Sequence, residues 1–304
     1  MGPKATRFRV GQRVSPIFHL THLYGSITLK DAVSQLGSLH DGVLRQFAVF
    51  NEQSCVEIPE NLSYREAATL PCAAVTAWNA LYGGPRSLKP GDTVLTQGTG
   101  GVSIFALQFA KLGGAEVIST TSDGAKAEKL KKMGVNHVLN YKDDPKWGQT
   151  VKGLSHRAKG ADFVIEIGGP NTIPQSSQAV CVDGQIAVIG RLAGRNSEAQ
   201  AAPIDTLATV RRIMVGSRQL HEEMNRAIEV HNIKPVIDGK CFRFSEVQEA
   251  YSYFGEARHF WQSCYRHRIS DISPDVTAEA SRPTLCTAPG LVGGERVRTS
   301  QLHG

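Results

Sequence analysis

The 304-residue chain lacks most of what would mark it as secreted, membrane-spanning or built around a metal cluster. Its six cysteines, at positions 55, 72, 181, 241, 264 and 286, lie far apart and form no C-x-x-C pair. Neither a zinc knuckle nor a redox dithiol is therefore indicated. No apolar run approaches the roughly 20 residues of a membrane-spanning helix. The opening MGPKATRFRV has no apolar core of the kind a secretory leader needs. No internal repeat is present. These absences set the expectation of a cytoplasmic protein with reduced thiols and no membrane partner. Charge of one sign is scarce as well: 34 basic against 28 acidic residues leave a net +6, spread along the chain. The one local run, Lys126, Lys129, Lys131 and Lys132, has helical spacing beside Ala127 and Leu130. It reads as a solvated helix face, so nucleic acid is not an expected partner.

What is present suits a globular protein of two domains. Hydrophobic residues make up 41% of the chain and charged residues 20%, enough to bury a sizeable core. From Arg7 to Pro59 the pattern is β-rich and irregular. Arg9–Val14 alternates, Val43–Val56 suits one or two strands, and residues 21–40 between them read as loop. Ser63-Tyr-Arg-Glu66 has the form of a helix-capping box, and Pro71 suits the first turn of a second helix reaching Tyr82.

From Leu88 onward short apolar strands alternate with helical stretches of about ten residues, which implies βαβ units and a parallel sheet. Strands are expected at Asp92–Gln97, Ala115–Thr121, Val135–Asn140, Ala161–Ile167 and Gln185–Ile189, with a sixth at Ile213–Gly216. Helices are expected at Gly101–Leu112, Ala125–Met133, Trp147–Arg157 and Thr172–Cys181. Beyond Ser217 come a helix at Gln219–Asn232, strand pieces at Pro235–Asp238 and Cys241–Phe244, and a helix to Phe254 opened by a second box, Ser245-Glu-Val-Gln248. After about Phe260, proline and glycine punctuate a stretch without apolar period, expected to stay loose.

The chemistry is concentrated in Asp92-Thr-Val-Leu-Thr-Gln-Gly98-Thr99-Gly100-Gly101-Val102-Ser103. This G-x-G-x-x-S run follows a strand directly and opens a helix, the context that a dinucleotide-binding turn requires. Gly98 permits the tight turn, and Gly100 lets the backbone approach a pyrophosphate. The helix beginning at Gly101 points its free amides and positive dipole end at that anion. The third position serves close helix–strand packing, where Ser103 replaces glycine. An NAD site usually carries Asp or Glu at the end of the second strand to take the ribose 2′-hydroxyl. Here Thr120-Thr121-Ser122 stand there, with Lys126 following, which tolerates a 2′-phosphate and tilts the expectation to NADPH. Asp123 bending back onto the ribose, with NADH as cofactor, stays open.

These residues carry a resemblance. RFRVGQRV, DGVLRQFAVF, LSYREAATLPCAAVTAWNALYG, LKPGDTVLTQGTGGVSIFALQFAK, GVNHVLNYKDDPKWG, GADFVIEIGGP, GQIAVIG and VGSRQLHEEMNRAIEVHNIKPVID follow one another over roughly residues 7–258. In this order they resemble the medium-chain dehydrogenase/reductase superfamily, zinc-type alcohol dehydrogenase-like, in its quinone-oxidoreductase-like branch. The resemblance implies an α/β fold: a doubly wound Rossmann sheet plus an incomplete, β-rich GroES-like catalytic domain. Residues 1–77 would form the partial catalytic lobe, 78–215 the NAD(P)-binding domain and 216–258 the return to the first lobe, with 259–304 an atypical tail. Gly98 to Ser103 would meet the pyrophosphate. Thr121, Ser122 and Lys126 would sit by the adenosine ribose, Tyr141 by the adenine, and Gly168, Gly169, Ile189 and Gly190 by the nicotinamide half.

Two departures bear on function. Family members carry some fifty residues ahead of the RFRVGQRV stretch, and their closing strand is here replaced from Trp261 onward. Cys72 falls where zinc-dependent relatives place one ligand, but it reads as a small buried helix residue; His19 and His22, in a stretch of loop without an acidic partner, and His40, ahead of Asp41-Gly42, read as surface histidines. No zinc is therefore expected. The expected activity is hydride transfer from a nicotinamide to a small-molecule quinone or α,β-unsaturated carbonyl, with a homodimer the assembly that the resemblance suggests. A zinc-type alcohol dehydrogenase, or a nucleotide-binding homologue without activity, are the alternatives. No general acid is identified.

Overall fold

The structure, a computed structural model, describes residues 2, 4–190, 206–255 and 262–266. Its strands are β1 (Val14–Pro16), β2 (Cys55–Glu57), β3 (Thr93–Gln97), β4 (Glu116–Thr121), β5 (His137–Asn140), β6 (Ala161–Glu166), β7 (Val180–Val188), β8 (Thr209–Arg212), β9 (Ile237–Arg243) and β10 (Gln262–Arg266). Its α-helices are α1 (Leu29–Ala32), α2 (Tyr64–Ala67), α3 (Val75–Tyr82), α4 (Gly101–Leu112), α5 (Gly124–Lys132), α6 (Trp147–Leu154), α7 (Ile173–Ala179), α8 (Arg218–Val230) and α9 (Val247–Gly255).

Six strands form one parallel sheet in the order β5-β4-β3-β6-β7-β8. This is the doubly wound Rossmann order, whose connections reverse direction between β3 and β6 and open a crevice at the carboxyl ends of those strands. Alternate residues of each strand enter different cores, as a period of two requires. Val94, Val117, Phe163, Ile165 and Ala187 pack on one face with Ile104, Phe105 and Phe109 of α4, with α3, and with Met224 and Ile228 of α8. Leu95, Ile118, Val164 and Ile186 pack on the other with Trp147 and Val151 of α6 and Ala179 of α7. Both faces are thus covered, which explains why adjacent residues such as Val94 and Leu95, or Phe163, Val164 and Ile165, are apolar together instead of alternating with polar ones.

The strand–helix series from Leu88 folds as its pattern implies, with two corrections: β7 begins at Val180, inside the end of the helix expected at Thr172–Cys181 and ahead of the expected start at Gln185, and the last strand is displaced. The sixth strand is Thr209–Arg212, not Ile213–Gly216. It lies at the sheet edge, largely open to solvent, so its polar TVRR never had to look apolar.

The N-terminal part differs more. Val43–Asn51 forms no strand: Phe47 and Val49 are exposed, and within Val43–Val56 only Cys55 and Val56 join β2, paired antiparallel with β1. An alternating pattern makes a strand only where a neighbour takes up its backbone groups. Within the expected loop, Thr28 and Asp31 form a reciprocal capping box on α1. The Ser63–Glu66 box is present on α2. The Ser245–Gln248 box is not: Glu246 instead accepts a hydrogen bond from the Arg243 amide at 2.7 Å, ahead of α9. The two strand pieces near Asp238 merge into β9, on which β10 lies parallel. The remaining residues of the 259–304 tail lie outside those described. No helix among the described residues is long and apolar enough to cross a membrane.

Candidate functional site

β3 ends at Gln97, and the chain turns at once through Gly98, whose φ of +68° favours glycine. The Gly98 amide donates to Thr120 O at 2.7 Å, pinning the turn to β4. Gly100 then stands in extended backbone as the residue before α4. No side chain caps α4, whereas α5 is capped by Asp123 and α8 by Ser217. A Cβ built at Gly98 or Gly100 meets nothing within 4 Å. The first amides of α4 therefore have no acceptor from a cap, and they start beside a turn with open space at Gly98 and Gly100, at the reversal point of the sheet. Thr99 is buried, Gly101 half-buried, and Val102 packs against the core. Ser103 is fully buried, and its hydroxyl donates to Gln97 O at 2.6 Å. The serine thus closes helix onto strand by a hydrogen bond where glycine would do so by its small size.

At the carboxyl ends of β4 and β5 the structure brings together Thr121, Ser122, Lys126 and Tyr141. Thr121 is buried, Ser122 and Lys126 are half-buried, and Tyr141 is exposed. The Tyr141 amide donates to Thr121 O at 3.2 Å. Asp123 accepts from the Lys126 amide at 2.8 Å, so its carboxylate already has work as the α5 cap.

On the other side of the crevice, Gly168, Gly169, Ile189 and Gly190 follow β6 and β7. The Ile189 amide donates to Glu166 O at 2.8 Å, joining the two strand ends. Beneath them lies a polar cluster that sequence reasoning missed. Glu166 is fully buried, and its Oε1 accepts from the Gly169 amide at 2.9 Å and from Thr172 Oγ1 at 2.5 Å. Its Oε2 accepts from Gln97 Nε2 at 2.8 Å and from the Ser176 hydroxyl. Gln97 Nε2 also donates to Ser176 Oγ at 2.8 Å. Gln97 Oε1 accepts the amides of Ile167 and Gly168, each at 3.3 Å.

The expectations for Cys72 and two histidines need correction. Cys72 is exposed, in a single π turn over Leu70–Ala74 that runs into α3. Protein packed around the thiol pushes its pKa up to about 11. His19 and His22 are buried, at 1% and 4% exposure, because the amides of Arg218 and Gln219 at the start of α8 bind the carbonyls of His22 and Leu23 over this segment. An acidic neighbour is present too, since Asp31 acts on both rings. Burial first, and His22 second, push His19 down to about 4, against the opposing pull of Asp31. Only His40 is exposed as expected. Among the described residues, no three His, Cys, Asp or Glu side chains lie together as a metal would need.

Comparison with known proteins agrees with this geometry. The family model for zinc-binding dehydrogenases matches residues 101–231. A zinc-type alcohol dehydrogenase-like protein of Schizosaccharomyces pombe is 40% identical over 265 residues, covering 85% of this chain and 76% of that protein. The 2-methylene-furan-3-one reductase of Solanum lycopersicum is 28% identical, covering 82% of this chain and 58% of the reductase. Among solved structures, one from Sinorhizobium meliloti described as an alcohol dehydrogenase superposes with a TM-score of 0.80 at 38% identity, covering 88% of this chain and 78% of that one. The chain belongs to the zinc-type alcohol dehydrogenase-like proteins of the medium-chain dehydrogenase/reductase superfamily, and it is an oxidoreductase.

Proposed function

We propose that this chain is an NADPH-dependent reductase of quinones or α,β-unsaturated carbonyls that works without zinc. The observation that carries the reading is the uncapped start of α4 above the open Gly98–Gly100 turn, at the point where the sheet reverses. An anion of pyrophosphate size satisfies such amides. In this reading Gly98, Thr99, Gly100, Gly101, Val102 and Ser103 hold the pyrophosphate. Thr121, Ser122 and Lys126 hold a phosphorylated ribose, the neighbouring Asp123 carboxylate being engaged as the α5 cap. Tyr141 covers the adenine, and Gly168, Gly169, Ile189 and Gly190 border the nicotinamide. The bound dihydronicotinamide supplies the hydride; this chain orients it and keeps water from it.

Zinc independence rests on the ligand set: Cys72 has no pair of His, Cys, Asp or Glu side chains beside it among the described residues. Acceptors already polarised by conjugation need little Lewis-acid help. We also assign residues 1–77 and 216–258 to one lobe and 78–215 to the cofactor domain, with 259–304 as a tail. The test is NADPH oxidation with a small quinone and with an enone, with and without a chelator. Acceptor-dependent oxidation indifferent to chelation is expected. Alcohol oxidation that is abolished by chelation, with stoichiometric zinc in the protein, would overturn the reading.

A further inference from the structure

We propose that Glu166 and Gln97 form a positioning clamp that sets the Ile167–Gly169 loop and, through it, the nicotinamide half of the cofactor. The inference rests on the cofactor placement above. Glu166 ends β6 and Gln97 ends β3, so the pair sits directly beneath the crevice at the reversal of the sheet. No Lys, Arg or His forms an ion pair with Glu166 among the described residues. Its charge is instead satisfied by four donors: the Gly169 amide, Thr172 Oγ1, Gln97 Nε2 and Ser176 Oγ. A buried carboxylate with that many donors is costly to place and serves to hold its donors.

Every polar atom of the clamp has one complementary role. Gln97 Nε2 gives hydrogen bonds to Glu166 and Ser176, while Gln97 Oε1 receives the Ile167 and Gly168 amides. Three consecutive amides, of residues 167, 168 and 169, are thus fixed by two side chains. The loop that would border the nicotinamide has no freedom independent of this pair. The phosphate turn meets the clamp only at the Gln97 main chain, where Ser103 Oγ donates to Gln97 O, and among the described residues neither clamp side chain bonds to that turn or to the adenosine end.

The clamp predicts a specific failure and a specific repair. Glu166→Gln keeps shape, but its new NH2 meets a donor in either orientation: in the place of Oε1 it opposes and frees the Gly169 amide, and in the place of Oε2 it opposes Gln97 Nε2. Gln97 can relieve the second clash only by flipping its amide, which aims its NH2 at the Ile167 and Gly168 amides and releases the loop. Exchanging the two residues, Glu166→Gln with Gln97→Glu, restores every bond, with donor and acceptor reversed only among positions 166, 97 and Ser176. The carboxylate then at position 97 would accept the two loop amides and the side-chain amide from position 166. Ser176 would donate to that carboxylate and accept from that amide.

The experiment titrates wild type, E166Q and the exchanged double variant with NADPH, reading nicotinamide fluorescence, and with 2′,5′-ADP, which carries only the adenosine end. Wild type binds both ligands. E166Q is expected to lose about tenfold or more in NADPH affinity, with altered nicotinamide emission, while holding 2′,5′-ADP within about twofold. The exchanged variant is expected to regain NADPH affinity. Equal loss of both ligands in E166Q, or no recovery on exchange in a variant that melts like wild type, overturns the clamp. Failure of wild type to bind either ligand overturns the cofactor placement itself.

Discussion

Lowering the pH from about 8 to about 5 should destabilise this protein by about 4 kcal/mol, and two buried histidines set the size of the loss. His221, on α8, is 1% exposed, and burial pushes its pKa down to about 3; His19 is equally buried, at about 4. Above the ordinary value of 6.5 both rings are neutral, folded or unfolded, and pH has no hold on them. Below it the unfolded chain takes up protons that the folded chain refuses, so stability falls as pH falls and levels off only below the folded values. At about pH 5 each site accounts for about 2 kcal/mol. Asp31 acts in a lower window: hydrogen bonds from Thr21 and Thr28 hold it at about 2, so its contribution is present above about 4 and disappears as pH falls through 2. The assay is urea unfolding at several pH values for wild type and His221→Leu. Since His221 Nε2 has no hydrogen-bond partner, the leucine variant should fold and lose only about half as much on acidification. Equal acid sensitivity in the two proteins would refute the argument.

Other outcomes follow from the same geometry. Ser103→Ala removes the buried hydrogen bond to Gln97 O but keeps the backbone amide, the only part of Ser103 left to meet the pyrophosphate, so it should cost about 1 kcal/mol in urea unfolding with little change in NADPH affinity; unchanged stability would contradict the packing role of the hydroxyl. Arg86 pairs with Asp92 at 2.6 Å and with buried Asp162 at 2.9 Å, so Arg86→Met should cost about 2 kcal/mol, reduced because Lys159 still holds Asp162. A neutral Arg86→Met in denaturant unfolding would refute that role. Lys126→Ala should weaken NADPH about tenfold and leave NADH unchanged in paired titrations; equal losses would remove Lys126 from the 2′-phosphate.

The cofactor half was legible because its signals are local. Apolar runs bounded by glycine located β3, α4, β4 and α5 to within a residue or so, and Gly98–Ser103 announced its own turn. What stayed hidden depends on distant partners. Glu166 reads as one acidic residue in an apolar strand until Gln97, 69 positions away, and Ser176 are brought beside it. His19 and His22 look like loop histidines until the start of α8 covers them. The edge strand β8 lacks an apolar pattern because solvent reaches much of it. In Val43–Asn51 the pattern promised pairing that the described residues do not provide.

The central claim is that the turn before α4 holds a dinucleotide, and Gly100→Val tests it most directly. A Cβ at this position meets nothing within 4 Å and the backbone there is ordinary extended chain, so the variant should fold and melt like wild type. With NADPH followed by nicotinamide fluorescence, wild type should bind NADPH more tightly than NADH. Gly100→Val should lose about a hundredfold or more, since its methyl groups occupy the place of the pyrophosphate. Undiminished NADPH affinity in a well-folded Gly100→Val protein would contradict the account.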